Sequence, residues 1–167
     1  MFRFLQKYPH ALELIYDAFE KVFQPFKRWL KPGSVFESPL TWVEKVGKEA
    51  VFDCQMCGQC ILHSTGMTCS MTCPKNLRNG PCGGVRVNGH CEVKPEMRCV
   101  WVQAFERSQR MPVYGHEMET IQPPVNWRLK GSSSWINMLH DIDDETPEGW
   151  VNISEIPVVV AETYAGN

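Results

Sequence analysis

Apolar residues recur at three- and four-residue steps at the start of the chain: Leu5, Tyr8, Leu12, Ile15, Phe19, Val22, Phe26 and Leu30. That period predicts an amphipathic helix over 3–31. Pro9 and Pro25 mark places where it kinks or restarts. Lys31-Pro32-Gly33-Ser34 ends it with turn chemistry. Phe2, Phe4, Phe23 and Trp29 widen the apolar side. So wide a face packs on its own domain, docks on a partner or lies on a membrane surface, the last because Lys21, Lys27, Arg28 and Lys31 form a basic cluster. The sequence leaves all three open.

Ser38-Pro39-Leu40 predicts the start of a short helix running through Val46 or a little beyond. In 85–93, β-branched alternation flanks Asn88-Gly89, which predicts a hairpin with a type I′ turn. Pro95, suited to a first helical position, predicts a helix over 96–108 with Cys99, Val102 and Phe105 along one side. After Met111 the periodicity fades. Three turn-rich segments follow, each with one Trp: Trp127, Trp135 and Trp150. A disordered tail would be poorer in aromatics. Such rings anchor either in pockets of another protein or back on this chain. No internal repeat is visible.

These elements predict a small α+β fold: an irregular, metal-stapled, cysteine-rich module with an N-terminal amphipathic helix and an extended C-terminal arm. The expected segments are the aromatic helix at 1–33, a connection at 34–50, the cysteine-rich module at 51–110 and the Trp-containing arm at 111–167.

The length of 167 residues fits one ordinary domain. A formal charge of -2 predicts no strong field for nucleic acid. Residues 117–167 carry two Lys/Arg against nine Asp/Glu, so the tail is acidic. The N-terminus lacks the unbroken apolar stretch of a secretory signal. No run of about 18 apolar residues predicts a transmembrane helix. The expected location is therefore the cytoplasm, whose reducing conditions turn the question of the cysteines towards metal.

All eight cysteines fall within 54–99. Cys54, Cys57 and Cys60 are separated by two residues each, a spacing that turns successive thiolates towards one site and is typical of cubane iron–sulfur clusters. Zinc modules more usually show C-x2-C pairs split by a longer loop. Cys69 and Cys73-Pro74 form a second group, and Cys82, Cys91 and Cys99 complete the set. Eight thiolates suit two [4Fe–4S] clusters, one cluster and one zinc, or two zincs; iron–sulfur fits the spacing best. His63 and His90 are further zinc-ligand candidates, though eight thiols need no His. The glycines at 58, 66, 80, 83, 84 and 89 permit close backbone approach and serve either metal equally. Few large aliphatic side chains lie in the window, so its own core is small and metal is the expected staple. No thiol stands apart with a base of its own, which argues against a catalytic cysteine.

Cys57-Gly58-Gln59-Cys60, the run from Cys73 to Gly84 (CPKNLRNGPCGG), Gly89-x-Cys91-Glu92-Val93 and Cys99-Val100-Trp101 resemble the methylenetetrahydrofolate reductase C-terminal-type cysteine-rich domain. That family includes the MetV-like small subunit accompanying a MetF-type reductase. The resemblance is close over about 50–110. The Pro-Pro-Val-Asn-Trp and Gly-Ser-Ser-Ser-Trp-Ile-Asn segments are also similar to the family's tail, whereas residues 1–31 are less typical of it.

The resemblance implies a role in one-carbon metabolism beside a partner that binds FMN or FAD and tetrahydrofolate and interconverts its methylene and methyl forms. This chain has no βα alternation, no GxGxxG and no P-loop, and a barrel of the partner's kind needs roughly 200 residues or more. The hydride chemistry is therefore expected on the partner. Two roles remain open. One is an iron–sulfur electron-transfer subunit. The other is a non-redox zinc or iron–sulfur adaptor joining the reductase to another one-carbon enzyme, such as a corrinoid methyltransferase, or to another redox subunit. A freely diffusing ferredoxin-like carrier has little use for an aromatic helix and a Trp-rich arm.

Overall fold

A computed structural model describes residues 3–143 together with Glu145 and Gly149. A 3-10 turn at Arg3–Lys7 leads into α1 (Pro9–Phe23), with Pro9 at its start, where a missing N–H costs nothing. The second proline has the other effect anticipated for it: α1 gives way to a 3-10 turn at Gln24–Phe26. The predicted helix over 3–31 is thus three shorter pieces. Pro9, Leu12 and Glu13 form the buried side of α1. Leu12 joins Leu62, Met67 and Met111 in one core cluster, against which Leu5, Tyr16, Val51, Phe52 and Tyr114 pack. Glu13 is fully buried; its carboxylate accepts from the backbone N–H groups of Val113 and Tyr114. That bond ties the first helix to a loop a hundred residues downstream.

Helix α2 (Glu37–Phe52) is longer than its expected start and stop. It ends at Asp53, whose φ of 59° places it in the left-handed region. The helix is inverted in character. It buries Glu44 and Lys48 and exposes Trp42, Val43 and Val46.

Helix α3 (Val100–Ser108) buries Val100, Trp101, Ala104 and Ser108 and exposes Phe105. Cys99, Trp101 and Ala104 form a second core cluster with Leu77, Val85, Val102 and Met118 around it. The expected start at Pro95 is corrected. Residues 94–97 form a turn (Met97 N–H to Lys94 O, 2.9 Å), and the helix waits until Cys99 has passed. Gly66, at φ 61°, lies so close to α3 that a Cβ there would sit 2.2 Å from the Ala104 carbonyl oxygen.

Three expectations are overturned. No strand occurs among the described residues, so the fold is helical and irregular rather than α+β. The hairpin over 85–93 is reduced to a turn with one further backbone bond and no ladder: Gly89 N–H reaches Arg86 O at 2.8 Å and Arg86 N–H reaches His90 O at 2.9 Å. Past the turn, the chain pairs with 97–99 instead. Cys91 N–H donates to Met97 O and Cys99 N–H to Gly89 O, leaving one isolated bridge between His90 and Arg98. Backbone groups satisfied across that connection are no longer free for a ladder.

The third concerns the arm. Residues 115–143 do not extend away. They form 3-10 turns at Gly115–Glu119 and Trp127–Leu129 and a short helix, α4 (Ser134–Leu139), whose Ile136 and Leu139 are among the most buried side chains. Trp135 stacks on Phe19 and Phe23 of α1, with ring centroids 5.4 and 5.3 Å away. Trp127 remains half exposed. Trp150 lies outside the described residues.

Candidate metal centres

The chain winds tightly as it leaves α2. Asp53, Met56 and Gly58 all have positive φ, at 59°, 47° and 78°. This winding brings Cys54, Cys57 and Cys60 to the wall of one cavity, and the turn before Ser70–Thr72 adds Cys69. Phe52, Ile61, Leu62 and Met71 give that cavity apolar walls. Met56 N–H lies 3.4 Å from Cys54 Sγ, and Cys57 Sγ lies 3.4 Å from the Gln59 carbonyl oxygen. Gly58 fits because it has no Cβ: one would stand 2.3 Å from the Leu129 carbonyl oxygen. Gly58→Ala is therefore expected to destabilise the protein by roughly 2–4 kcal/mol, combining left-handed strain with a backbone clash. Thermal unfolding of the variant beside the unaltered chain measures it.

The other four thiols line a separate cavity: Cys73, Cys82, Cys91 and Cys99, with Leu77, Val85, Met97, Val100 and Trp101. The 89–99 backbone pairing sets Cys91 and Cys99, and α3 begins directly after Cys99. Cys82 Sγ is 3.7 Å from Glu92 Oε1, and Glu92 forms an ion pair with Lys75. All eight cysteines are free. The structure thus sorts them four and four, and it separates Cys69 from Cys73 although only three residues intervene. His63 lines neither cavity; its ring bonds to Glu117 and Ser64. His90 Nδ1 is held by Pro95 O at 2.7 Å.

The electrostatics of the first cavity suit a bound cationic group. Burial pushes Cys54 up to about 12 and Cys69 to about 11, and raises Cys57 as well; the neighbouring Cys60 adds to all three. Such thiols ionise only when positive charge is brought to them. Two cations already stand close. Burial works to lower the pKa of Lys48, but Cys60 and Glu44 outweigh it and the group is held charged. Arg78 is lowered by burial and supported by Cys57 and Cys60. Four half-buried thiols with two cations behind them fit a four-thiolate metal group held by Cys54, Cys57, Cys60 and Cys69. By donor chemistry alone the second set fits one as well. Among the described residues, no three His, Cys, Asp or Glu side chains are placed to hold a single ion.

Several residues that support the first cavity escaped the sequence reading. Lys48 Nζ donates to Glu44 Oε1 at 2.7 Å and to Ser134 Oγ at 2.6 Å. Ser133 and Ser134 hydroxyls donate to Glu44 at 2.5 Å. Gln59, fully buried, donates to Asp143 O at 2.9 Å and accepts from Asn126 N–H at 2.7 Å. Asn137 donates to Gly58 O at 2.8 Å, and Gly131 N–H to Met56 O at 2.8 Å. The Gly-Ser-Ser-Ser-Trp segment is thus a clamp on the first thiol loop. The available signal was the Glu44–Lys48 spacing of four on one helix, which places the two side chains together.

Comparison with known families finds a match to the family described as methylene-tetrahydrofolate reductase C terminal, over residues 35–128. Comparison with curated proteins found no match, and comparison with solved structures found none. The matched span contains all eight cysteines, the second cavity, the first cavity apart from Ser132 and Ser134, and the Glu44–Lys48 pair, and it takes in more than half of the chain. With that span matched, the chain belongs to the methylene-tetrahydrofolate reductase C-terminal family.

Proposed function

We propose that the chain is the iron–sulfur, electron-transfer subunit of a methylenetetrahydrofolate reductase complex, with two [4Fe–4S] clusters on its eight thiolates. The observation that carries this reading is the four-and-four sorting of the thiols. Such clusters supply one-electron transfer when bound. The chain's own part is to present four thiolates at each cavity, to set Lys48 and Arg78 behind the first, and to keep water out with apolar walls. Cys69 and Cys73 are joined by so short a segment that their Cα atoms lie within about 14 Å. The two centres are therefore neighbours. FMN or FAD and tetrahydrofolate belong, on this reading, to the reductase partner. The compartment is a reducing cytoplasm; among the described residues no helix is long and apolar enough to cross a membrane.

Exposed aromatic and aliphatic side chains support association. Trp29 and Trp42 are each about two-thirds exposed, and Phe36 and Val43 are more than half exposed. Trp42 and Val43 are adjacent in α2, and large exposed rings are enriched at interfaces. Trp42→Ala is expected to weaken copurification with the reductase by about 2 kcal/mol, the size of an interface hot spot, with metal content unchanged. Unchanged affinity would remove Trp42 from the interface.

Anaerobically purified chain should carry iron and acid-labile sulfide together. Dithionite should bleach its visible absorption and produce an EPR signal. Stoichiometric zinc without sulfide, or clusters that accept no electron from dithionite, would leave the adaptor role standing instead.

A further inference from the structure

A third cavity, with no thiol in its lining, adjoins both cysteine cavities. It measures about 100 Å³, shares Thr65 with the first and shares Trp101 with the second. Two of its lining residues carry N–H donors with nothing to donate to: Arg78 Nε and Trp101 Nε1. Both side chains are more than nine-tenths buried, at 8% and 4% exposed. Buried donors are almost always paired, so two orphans in one cavity mark a place for an acceptor.

Two other polar side chains of the lining already have partners. Thr65 Oγ1 donates to the carbonyls of Ile61 and Thr68. Asn79 exchanges hydrogen bonds with the Gln122 backbone. The indole N–H can only donate, and the guanidinium donates and carries positive charge. The complementary ligand is therefore a small acceptor bearing negative charge. Glu119, the acidic residue of the lining, is exposed. The volume admits one small polyatomic ion or several waters.

We propose that this cavity binds a small oxyanion of carboxylate or phosphate type through Arg78 Nε and Trp101 Nε1. The position gives binding a consequence. The same guanidinium stands close enough to Cys57 and Cys60 for both sulfurs to support its charge. An anion at Nε competes with those sulfurs for its charge. The site's existence does not depend on which metal the thiols hold.

Calorimetric titration of the full-length, metal-loaded chain tests it. Formate, acetate and inorganic phosphate are added separately at constant ionic strength, balanced with chloride. One of them should bind saturably at one site, and which one it is separates a carboxylate source from a phosphate source. Trp101→Phe keeps the ring in the core and removes only the N–H. It should weaken binding about tenfold, the effect of one hydrogen bond to a charged partner. Arg78→Lys should weaken it at least as much, and Arg86→Gln, at an exposed cation, should leave it unchanged. Should Arg78→Lys lose metal, Trp101→Phe with intact metal content decides alone. Absence of saturable binding by all three probes would mean that the donors meet water only. Binding indifferent to Trp101→Phe would mean an adventitious ion only. Either result overturns the proposal.

Discussion

Removing residues 123–167 should strip the first cysteine set of its metal and leave the second set loaded. Metal analysis of the truncated chain should then show about half of the full complement. Every thiol is retained in that chain, so the loss would be one of support. Ser133 and Ser134 supply three of the hydrogen bonds that keep the Glu44 carboxylate satisfied. Hydrogen bonds to a charged group contribute about 1.5–3 kcal/mol each. Their removal together costs several kcal/mol, a large share of the roughly 5–15 kcal/mol that holds an ordinary domain folded. Asn126, Gly131, Asn137 and Asp143 would be lost from the thiol loop at the same time. Cys73, Cys82, Cys91 and Cys99 draw their cavity walls from residues before 102 and have no such dependence. A truncated chain with its full metal complement would restore the view of this segment as a separable docking arm.

Lys48→Met should be the most damaging single change on α2. It leaves Glu44, 1% exposed, as a buried carboxylate without its cation. Breaking one side of a buried pair typically costs about 3–5 kcal/mol. It also removes the positive charge that acts on Cys60 and Cys54. The thermal midpoint should fall, and metal should be lost first from the set containing Cys54. Glu44→Gln combined with Lys48→Met removes both charges, and it should recover much of the stability but not the metal. Equal metal content in Lys48→Met and the unaltered chain would show that the lysine serves the helix alone.

The chemistry of the site was more legible in the sequence than its geometry. Eight cysteines with C-x2-C-x2-C spacing, and the motifs around them, pointed to the family that the match over 35–128 shows. The division of the thiols was not legible. Cys69 and Cys73 are sequence neighbours, yet a 3-10 turn at Ser70–Thr72 sends them to different cavities. The hairpin was misread because the turn runs from Arg86 to Gly89, with Val87-Asn88 rather than Asn88-Gly89 at its centre, and beyond one bond from Arg86 to His90 the returning chain pairs with 97–99, which no local pattern announces. The arm was misread for a similar reason. Polar residues such as Ser133, Ser134 and Asn137 look solvated in a sequence; here they are buried because Glu44, Lys48 and the Gly58 carbonyl need partners. Tertiary hydrogen bonding outweighed composition.

Iron, zinc and acid-labile sulfide counted in paired cysteine variants test the central claim most directly. Cys57→Ser should lose one centre and Cys99→Ser the other. Cys57→Ser with Cys69→Ser should lose no more than Cys57→Ser alone, because both thiols serve the same cavity. Cys57→Ser with Cys99→Ser should abolish both centres, iron and sulfide falling together. Loss of the same single centre from Cys57→Ser and Cys99→Ser, or zinc in place of iron and sulfide throughout, would contradict two separate four-thiolate iron–sulfur sites.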